Sequence, residues 1–197
     1  MADKLLLTRR QLCLAGTAAA LWPSVASCAD QAPEKIDDEL RRKLLAAVAS
    51  ADSFVDRFDA EVWLLQKSTV LTKFVKNTDY RLKILKEVHR QAKRVEVPPE
   101  FVLALIEVES RFDRYAISRV GAQGMMQIMP FWKKAIGRES DNLIDLTTNL
   151  QYGCTILKHY LDKEDGHWAH ALARYNGSYG KYWYPRKVMD AWQKRWR

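Results

Sequence analysis

Apolar residues along this chain recur three and four positions apart, the spacing of helix faces, and no segment shows a convincing strand-like alternation. Ile36, Leu40, Leu44, Leu45 and Val48 mark a first helix. Phe54, Phe58, Val62 and Leu65 mark a second, which Asp52 or Ser53 is placed to start. A third runs from about Asp79 through Leu82, Leu85, Val88 and His89. Pro98 and Pro99 suit the first turn of a fourth, where a missing N–H costs little, and Glu100 favours the positive helix end. On a later helix Leu150, Cys154, Leu157 and Leu161 share one face, with Asp141 and Asp145 before it as turn or cap residues. Glycine (8) and proline (6) are scarce, and no unit of roughly 20 to 50 residues repeats. The expected fold class is all-α.

The fourth helix carries an anomaly. Val102, Leu105 and Ile106 set its apolar stripe, which Phe101, Ala104, Val108 and Phe112 widen, and the next position on that stripe is Glu109. Glu107 projects elsewhere and is expected to be the solvated partner of Arg111 in an i,i+4 pair. An unpaired buried carboxylate is costly, so Glu109 should resist ionisation, and a carboxyl that keeps its proton near neutral pH can act as an acid catalyst. The competing reading is a structural carboxylate that caps a loop or pairs with Arg111, Arg114 or Arg119. Ser118 to Gly124 then form a small, turn-prone stretch, and Met125 to Met129 an apolar run with one amide inside it. Gln127 can donate and accept, which suits either a sugar's hydroxyl and acetamido groups or unsatisfied loop backbone.

These residues resemble the soluble lytic transglycosylase catalytic domain, a lysozyme-like (goose-type) fold that cuts peptidoglycan. Glu109-Ser110 matches the pair that holds that family's catalytic acid. Ser118, Gly121 and Gly124-Met125-Met126-Gln127 align with its S-x-x-G…G-L-M-Q, and Ala173-Arg174-Tyr175-Asn176-Gly177 with its A-x-Y-N motif. Asn149-Leu150-x-x-Gly153 and Tyr160-Leu161 match a further helix. Met125 stands where leucine is usual, Asp113-Arg114 replaces Asn-Pro, and Gly177-Ser178 replaces Ala-Gly. The resemblance implies Glu109 as sole acid and base, with Ser118, Met126, Gln127, Tyr175 and Asn176 supporting it or holding substrate. It implies that Tyr175 can hydrogen-bond the acid and that Ser118 can touch the acid or the acetamido group. Tyr179, Tyr182, Trp183 and Tyr184 follow the third motif and either line a sugar groove or pack against a C-terminal helix with Trp192 and Trp196. The implied reaction is cleavage of the β-1,4 MurNAc–GlcNAc bond with a 1,6-anhydro-MurNAc end. A lysozyme-like hydrolase and a non-catalytic glycan-binding or assembly protein are the alternatives.

Three further observations bear on this. Residues 1–29 read as an export signal: Thr8-Arg9-Arg10-x-Leu12 is twin-arginine-like, Leu12 to Leu21 is apolar but short, and small residues flank Cys28. Val25-Ala26-Ser27-Cys28 is a possible lipobox that would anchor a lipid through Cys28, in competition with ordinary cleavage. The expected location is periplasmic or outer-membrane-associated. Residues 30–96 then form a helical brace on a catalytic domain spanning 97–197. The net charge is +8, and loss of residues 1–29, with three bases and one acid, leaves +6. Such a surface attracts acidic polymers. Peptidoglycan strands are the expected partner, and no nucleic-acid recognition motif is present to support the other candidate. Cys154 reads as a small core hydrophobe and the scattered histidines lack metal-ligand spacing, so neither a metal nor any other cofactor is expected.

Overall fold

The computed structural model describes residues 38–49 and 52–197, so the expected export signal and its Cys28 lie outside the described residues. Eight α-helices follow one another there: α1 (Asp38–Ala49), α2 (Arg57–Leu71), α3 (Thr78–Arg94), α4 (Pro99–Ser110), α5 (Trp132–Ile136), α6 (Leu146–Lys163), α7 (Trp168–Tyr175) and α8 (Trp183–Ala191). A π-helical turn, Trp192–Trp196, closes the chain. The only ladder pairing among the described residues is two isolated bridges, Ile117 with Gln123 and Gln123 with Ile128. The all-α expectation is met.

The middle of the bundle is α4. Every residue from Phe101 to Ile106 is buried, as expected of a helix that is apolar all round. It packs against α3 on one side and against α8 and the π-helical turn on another, while α3 also meets α6, and α6 and α8 meet α7. Truncating one of the central leucines, such as Leu105, to alanine costs about 2–5 kcal/mol in such an environment. α1, α2 and α3 pack on one another, and α2 reaches the C-terminal turn. Lys67 fastens that contact: it is 7% exposed, and its Nζ donates to the Trp196 carbonyl at 2.6 Å.

Two sequence expectations are corrected here. α2 starts after Asp56, whose side chain accepts from the amides of Phe58 and Asp59; neither Asp52 nor Ser53 starts it. Its buried face is Ala60, Leu64, Lys67, Ser68 and Leu71, whereas Phe58 and Val62 are exposed. The polar residues on the inner face hid it from a count of apolar positions. Ser53 instead meets His89 at 2.8 Å, and Phe54 stacks on the His89 ring with centroids 3.5 Å apart. Burial pulls the His89 pKa down to about 4 and keeps that ring neutral. The second correction concerns Glu107. It does not pair with Arg111 in solvent. It accepts from Arg195 Nε and Trp196 Nε1, each at 2.8 Å, and is largely buried. The backbone explains this: Arg111 ends α4 in the left-handed region (φ 54°) and swings away to lie over the Phe74 ring.

Candidate functional site

The site is assembled where the last turn of α4 meets the loop 111–130. Ser110 ties the two together, donating to the Met125 carbonyl at 2.8 Å. From α6, the buried Asn149 clasps the same loop. Its Oδ1 accepts from Met126 N at 2.8 Å, and its Nδ2 donates to the carbonyls of Gln123 and Leu143 at 2.9 and 2.8 Å. Asp145, as expected, caps α6 through the Thr148 amide at 3.0 Å. Gly124 (φ +74°) lies so close to this clasp that a Cβ there would stand 2.6 Å from the Leu143 carbonyl and would also hit Asn149. A Cβ on Gly153 would run into the Met126 side chain. The glycines of both motifs thus permit a close approach of loop and helix.

Glu109 emerges from the last turn of α4 into this corner, partly buried. Loss of solvent pushes its pKa up from 4.5 to about 7, against the effect of one hydrogen bond from Tyr184, which favours the ionised form. No other charged group contributes to the shift. The Tyr184 hydroxyl donates to Oε1. Tyr184 is 2% exposed, in the first turn of α8, and burial holds its own pKa far above the usual value, so it remains a donor. With Oε1 occupied as an acceptor, Oε2 is left to carry the proton. A carboxyl about half protonated at neutral pH can both give and take a proton.

The residues expected around Glu109 take different places. Tyr175, at the end of α7, donates its hydroxyl to the Met126 carbonyl at 2.8 Å and not to Glu109, which corrects the expected bond to the acid. The reason is geometric: the Asn149 clasp turns the Met126 carbonyl toward α7, while Tyr184 occupies the carboxylate. Tyr175 is nonetheless near enough for the Glu109 charge to raise its pKa further, after burial. The Met126 side chain is fully buried, so its contribution to the site is its backbone. The Ser118 hydroxyl accepts from Ala122 N at 3.0 Å, closing the turn, and makes no contact with Glu109. Gln127 sits at φ 50°, and its Nε2 donates to the carbonyls of Ala116 and Gly124 at 3.1 and 2.8 Å. That is the loop-satisfying role, with the amide oxygen left over as an acceptor. Asn176 is exposed at the α7 C-terminus. Tyr179, Tyr182 and Trp183 are 54%, 59% and 51% exposed.

Sequence reasoning missed Tyr184 as the partner of the acid. The signal was present: Tyr184, Val188 and Ala191 form the buried stripe of α8, so the tyrosine is a polar tip on an apolar face, the same anomaly that marks Glu109. Other carboxylates nearby in sequence are engaged elsewhere. Asp113 accepts from the Tyr115 amide at 2.8 Å in an exposed turn, and Asp141 accepts from Tyr152 at 2.6 Å. Among the described residues no group of three or more His, Cys, Asp or Glu side chains is placed to hold a metal ion.

Comparison with known proteins fits this geometry. Residues 86–192, more than half of the chain, match the model of the transglycosylase SLT domain. That span takes in the second half of α3. A transglycosylase of Enterobacteria phage PRD1 is 33% identical over 97 residues, which are 46% of this chain and 36% of that protein. The membrane-bound lytic murein transglycosylase C of Actinobacillus pleuropneumoniae serotype 5b (strain L20) is 44% identical over 43 residues, 22% of this chain and 12% of that protein. The X-ray structure of an inactive mutant of lytic transglycosylase Slt from Pseudomonas aeruginosa aligns with 84% of this chain and 33% of its own, at 21% identity and a TM-score of 0.44. The chain therefore spans about a third or less of the length of these relatives. With the family model covering α4, the clasped loop, α6, α7 and α8 together, the chain belongs to the transglycosylase SLT domain family.

Proposed function

We propose that this protein is a peptidoglycan lytic transglycosylase that cleaves the β-1,4 MurNAc–GlcNAc bond and leaves 1,6-anhydro-MurNAc ends. The observation that carries the reading is a single carboxyl, Glu109, on the apolar side of α4, whose pKa burial lifts to about 7, with no carboxylate among the groups that shift it. A retaining hydrolase of the lysozyme pattern uses two carboxyl groups about 5 Å apart. A lytic transglycosylase needs one. Glu109 Oε2 gives its proton to the glycosidic oxygen as that bond breaks and C1 of MurNAc gains oxocarbenium character. The resulting carboxylate, steadied by the Tyr184 hydroxyl, takes the proton of the same sugar's C6 hydroxyl. The C6 oxygen bonds to C1, the acid is restored, and no water is consumed. The loop carrying Ser118 and Gln127, fixed by Asn149 and Tyr175, forms the wall along which an acetamido group lies, with the Gln127 amide oxygen as its acceptor.

The site of action in this reading is the cell envelope, reached through the export signal at residues 1–29, with Cys28 as a possible lipid anchor. Mass spectrometry of products from purified peptidoglycan tests the chemistry. Fragments lighter by one water than hydrolytic muropeptides are expected. Hydrated reducing ends would establish a muramidase, and no products at all would leave a glycan-binding protein.

A further inference from the structure

One carboxylate outside the acid's corner, largely covered by its neighbours, has an unusual set of partners. Glu164 stands at the end of α6, and its side chain is 8% exposed. His170 and Arg174 lie four residues apart on α7 and so share a face, and both turn to Glu164. Arg174 Nε donates to Oε1, and His170 Nδ1 lies 3.4 Å from Oε2. Each of these arms then meets a different tyrosine. The Arg174 guanidinium lies over the Tyr179 ring, 3.9 Å from its centroid. His170 Nε2 is 3.3 Å from the Tyr182 hydroxyl. Nothing in the acid's chemistry requires these four contacts.

The tyrosines stand on the loop that joins the two residues flanking the candidate site. The loop leaves Tyr175, which holds the Met126 carbonyl, and ends at Tyr184, which holds Glu109. Gly177 and Gly180 turn it through left-handed conformations of φ +72° and +84°, with Tyr179 between them. Tyr179 and Tyr182 remain more than half exposed although their positions are fixed from behind. A flexible loop would not need a partly buried ion pair to present two rings to solvent. A guanidinium covers only one face of a ring, which leaves the other face of Tyr179 to the apolar C–H face of a pyranose. The hydrogen bond to Glu164, more than its charge, raises the Arg174 pKa further above its already high value.

Resting on the peptidoglycan reading above, we propose that Tyr179 and Tyr182, on the loop between Tyr175 and Tyr184, form a stacking subsite for a hexosamine ring, and that Glu164 is its positioning residue, acting through Arg174 and His170. Tyr179 supplies a ring face. Tyr182 supplies a ring and a hydroxyl whose direction His170 sets. Arg174 occupies the variable position of the A-x-Y-N motif, a position that the motif leaves open.

Calorimetric titration of the Glu109→Gln protein with a soluble N-acetylglucosamine hexamer and with peptide-free glycan strands tests it. Replacing both Tyr179 and Tyr182 by alanine in that background should raise Kd about five- to twentyfold. Glu164→Gln should raise it about three- to tenfold, and Tyr179→Phe, which keeps the ring, should change it less than about twofold. Arg174→Lys should weaken binding no more than Glu164→Gln does, and the two together should fall short of the sum of the singles, since both act on the Tyr179 ring and only Glu164 also acts through His170. In the active enzyme these changes should appear in KM, with kcat within about twofold. Should Glu164→Gln fail to fold, Arg174→Lys and the tyrosine variants give the same test. An unchanged Kd in the double alanine variant overturns the subsite. A weakened double variant beside unaltered Glu164→Gln and Arg174→Lys overturns the positioning role. Failure of the Glu109→Gln protein to bind either glycan sinks the substrate reading itself, a separable result.

Discussion

Glu107 and Glu109 leave the last turn of α4 on different sides. Glu107 meets Arg195 and the Trp196 indole, two donated hydrogen bonds and an ion pair from a C-terminal turn that folds back over it. Glu109 is given one hydrogen bond, from Tyr184, and no counter-ion. A carboxylate supplied with cationic donors serves as a structural joint. One deprived of solvent without compensation keeps its proton and becomes chemically useful, at a cost in stability. The two residues differ little in what α4 provides. They differ in what α8 and the turn after it bring to each.

The largest separation between them is expected on removal of the charge. Glu109→Gln should lower activity by at least about a hundredfold, the scale of general acid catalysis, at any pH where the wild type works. It should also stabilise the protein in alkali. The folded pKa of about 7 lies above the ordinary 4.5. The folded state therefore binds the extra proton between those values, and the wild type loses stability as pH rises through that window. Above it the deficit reaches about 3 kcal/mol. Urea melts at pH 8 should show Glu109→Gln the more stable by about that amount, and melts near pH 4.5 should show no gap. An equal difference at both pH values would mean that the carboxyl is not held protonated by burial.

Tyr184→Phe comes next. Its hydroxyl favours the ionised form of Glu109, so losing it should lower kcat about ten- to a hundredfold. The alkaline limb of the pH–rate profile should move upward, because the acid then ionises less readily. Tyr175→Phe should behave differently although the ring chemistry is the same. Its hydroxyl serves the Met126 carbonyl, so turnover should fall about three- to tenfold through a loosened loop, with the alkaline limb unmoved. Profiles that shift for Tyr175→Phe and stay fixed for Tyr184→Phe would reverse the assignment of the two tyrosines.

The sequence made legible what one helix's own periodicity controls. The anomaly of Glu109, the α3 face of Leu82, Leu85, Val88 and His89, and the burial of Cys154 all follow from spacing within a single element, and the structure shows each. What spacing could not supply was the partner across an interface. Spacing pairs Glu107 with Arg111, four residues on, but the left-handed turn at Arg111 breaks the helix before that pair can form. Apolarity points to Phe58 and Val62 as an inner face, yet α2 buries Lys67 and Ser68, whose polar ends reach the Trp196 carbonyl and the Arg81 guanidinium. Resemblance gave Tyr175 the acid, and the fold gave it to a tyrosine nine residues later. In each case the decisive group comes from a distant part of the chain, and its choice depends on tertiary geometry that no local pattern encodes.

The smallest effect on catalysis, and the sharpest control, is expected from Glu107→Gln. The amide keeps the size of the side chain and can still accept from the Trp196 indole, but it loses the charge that faces Arg195. Arg195 is about a third exposed, so water takes up much of the lost interaction, and the cost should be about 1–2 kcal/mol, below that of breaking a fully buried pair. Activity should stay within about twofold of wild type, and the pH–rate profile should be unmoved, because the Arg195 pair and the Tyr184 bond address different faces of α4. Combining Glu107→Gln with Arg195→Gln should recover part of the stability lost in the singles, the signature of a direct pair in a double-mutant cycle. If Glu107→Gln instead reduced kcat as Glu109→Gln does, the two faces would be coupled through the last turn of α4, and the contrast between a structural and a chemical carboxylate would not hold.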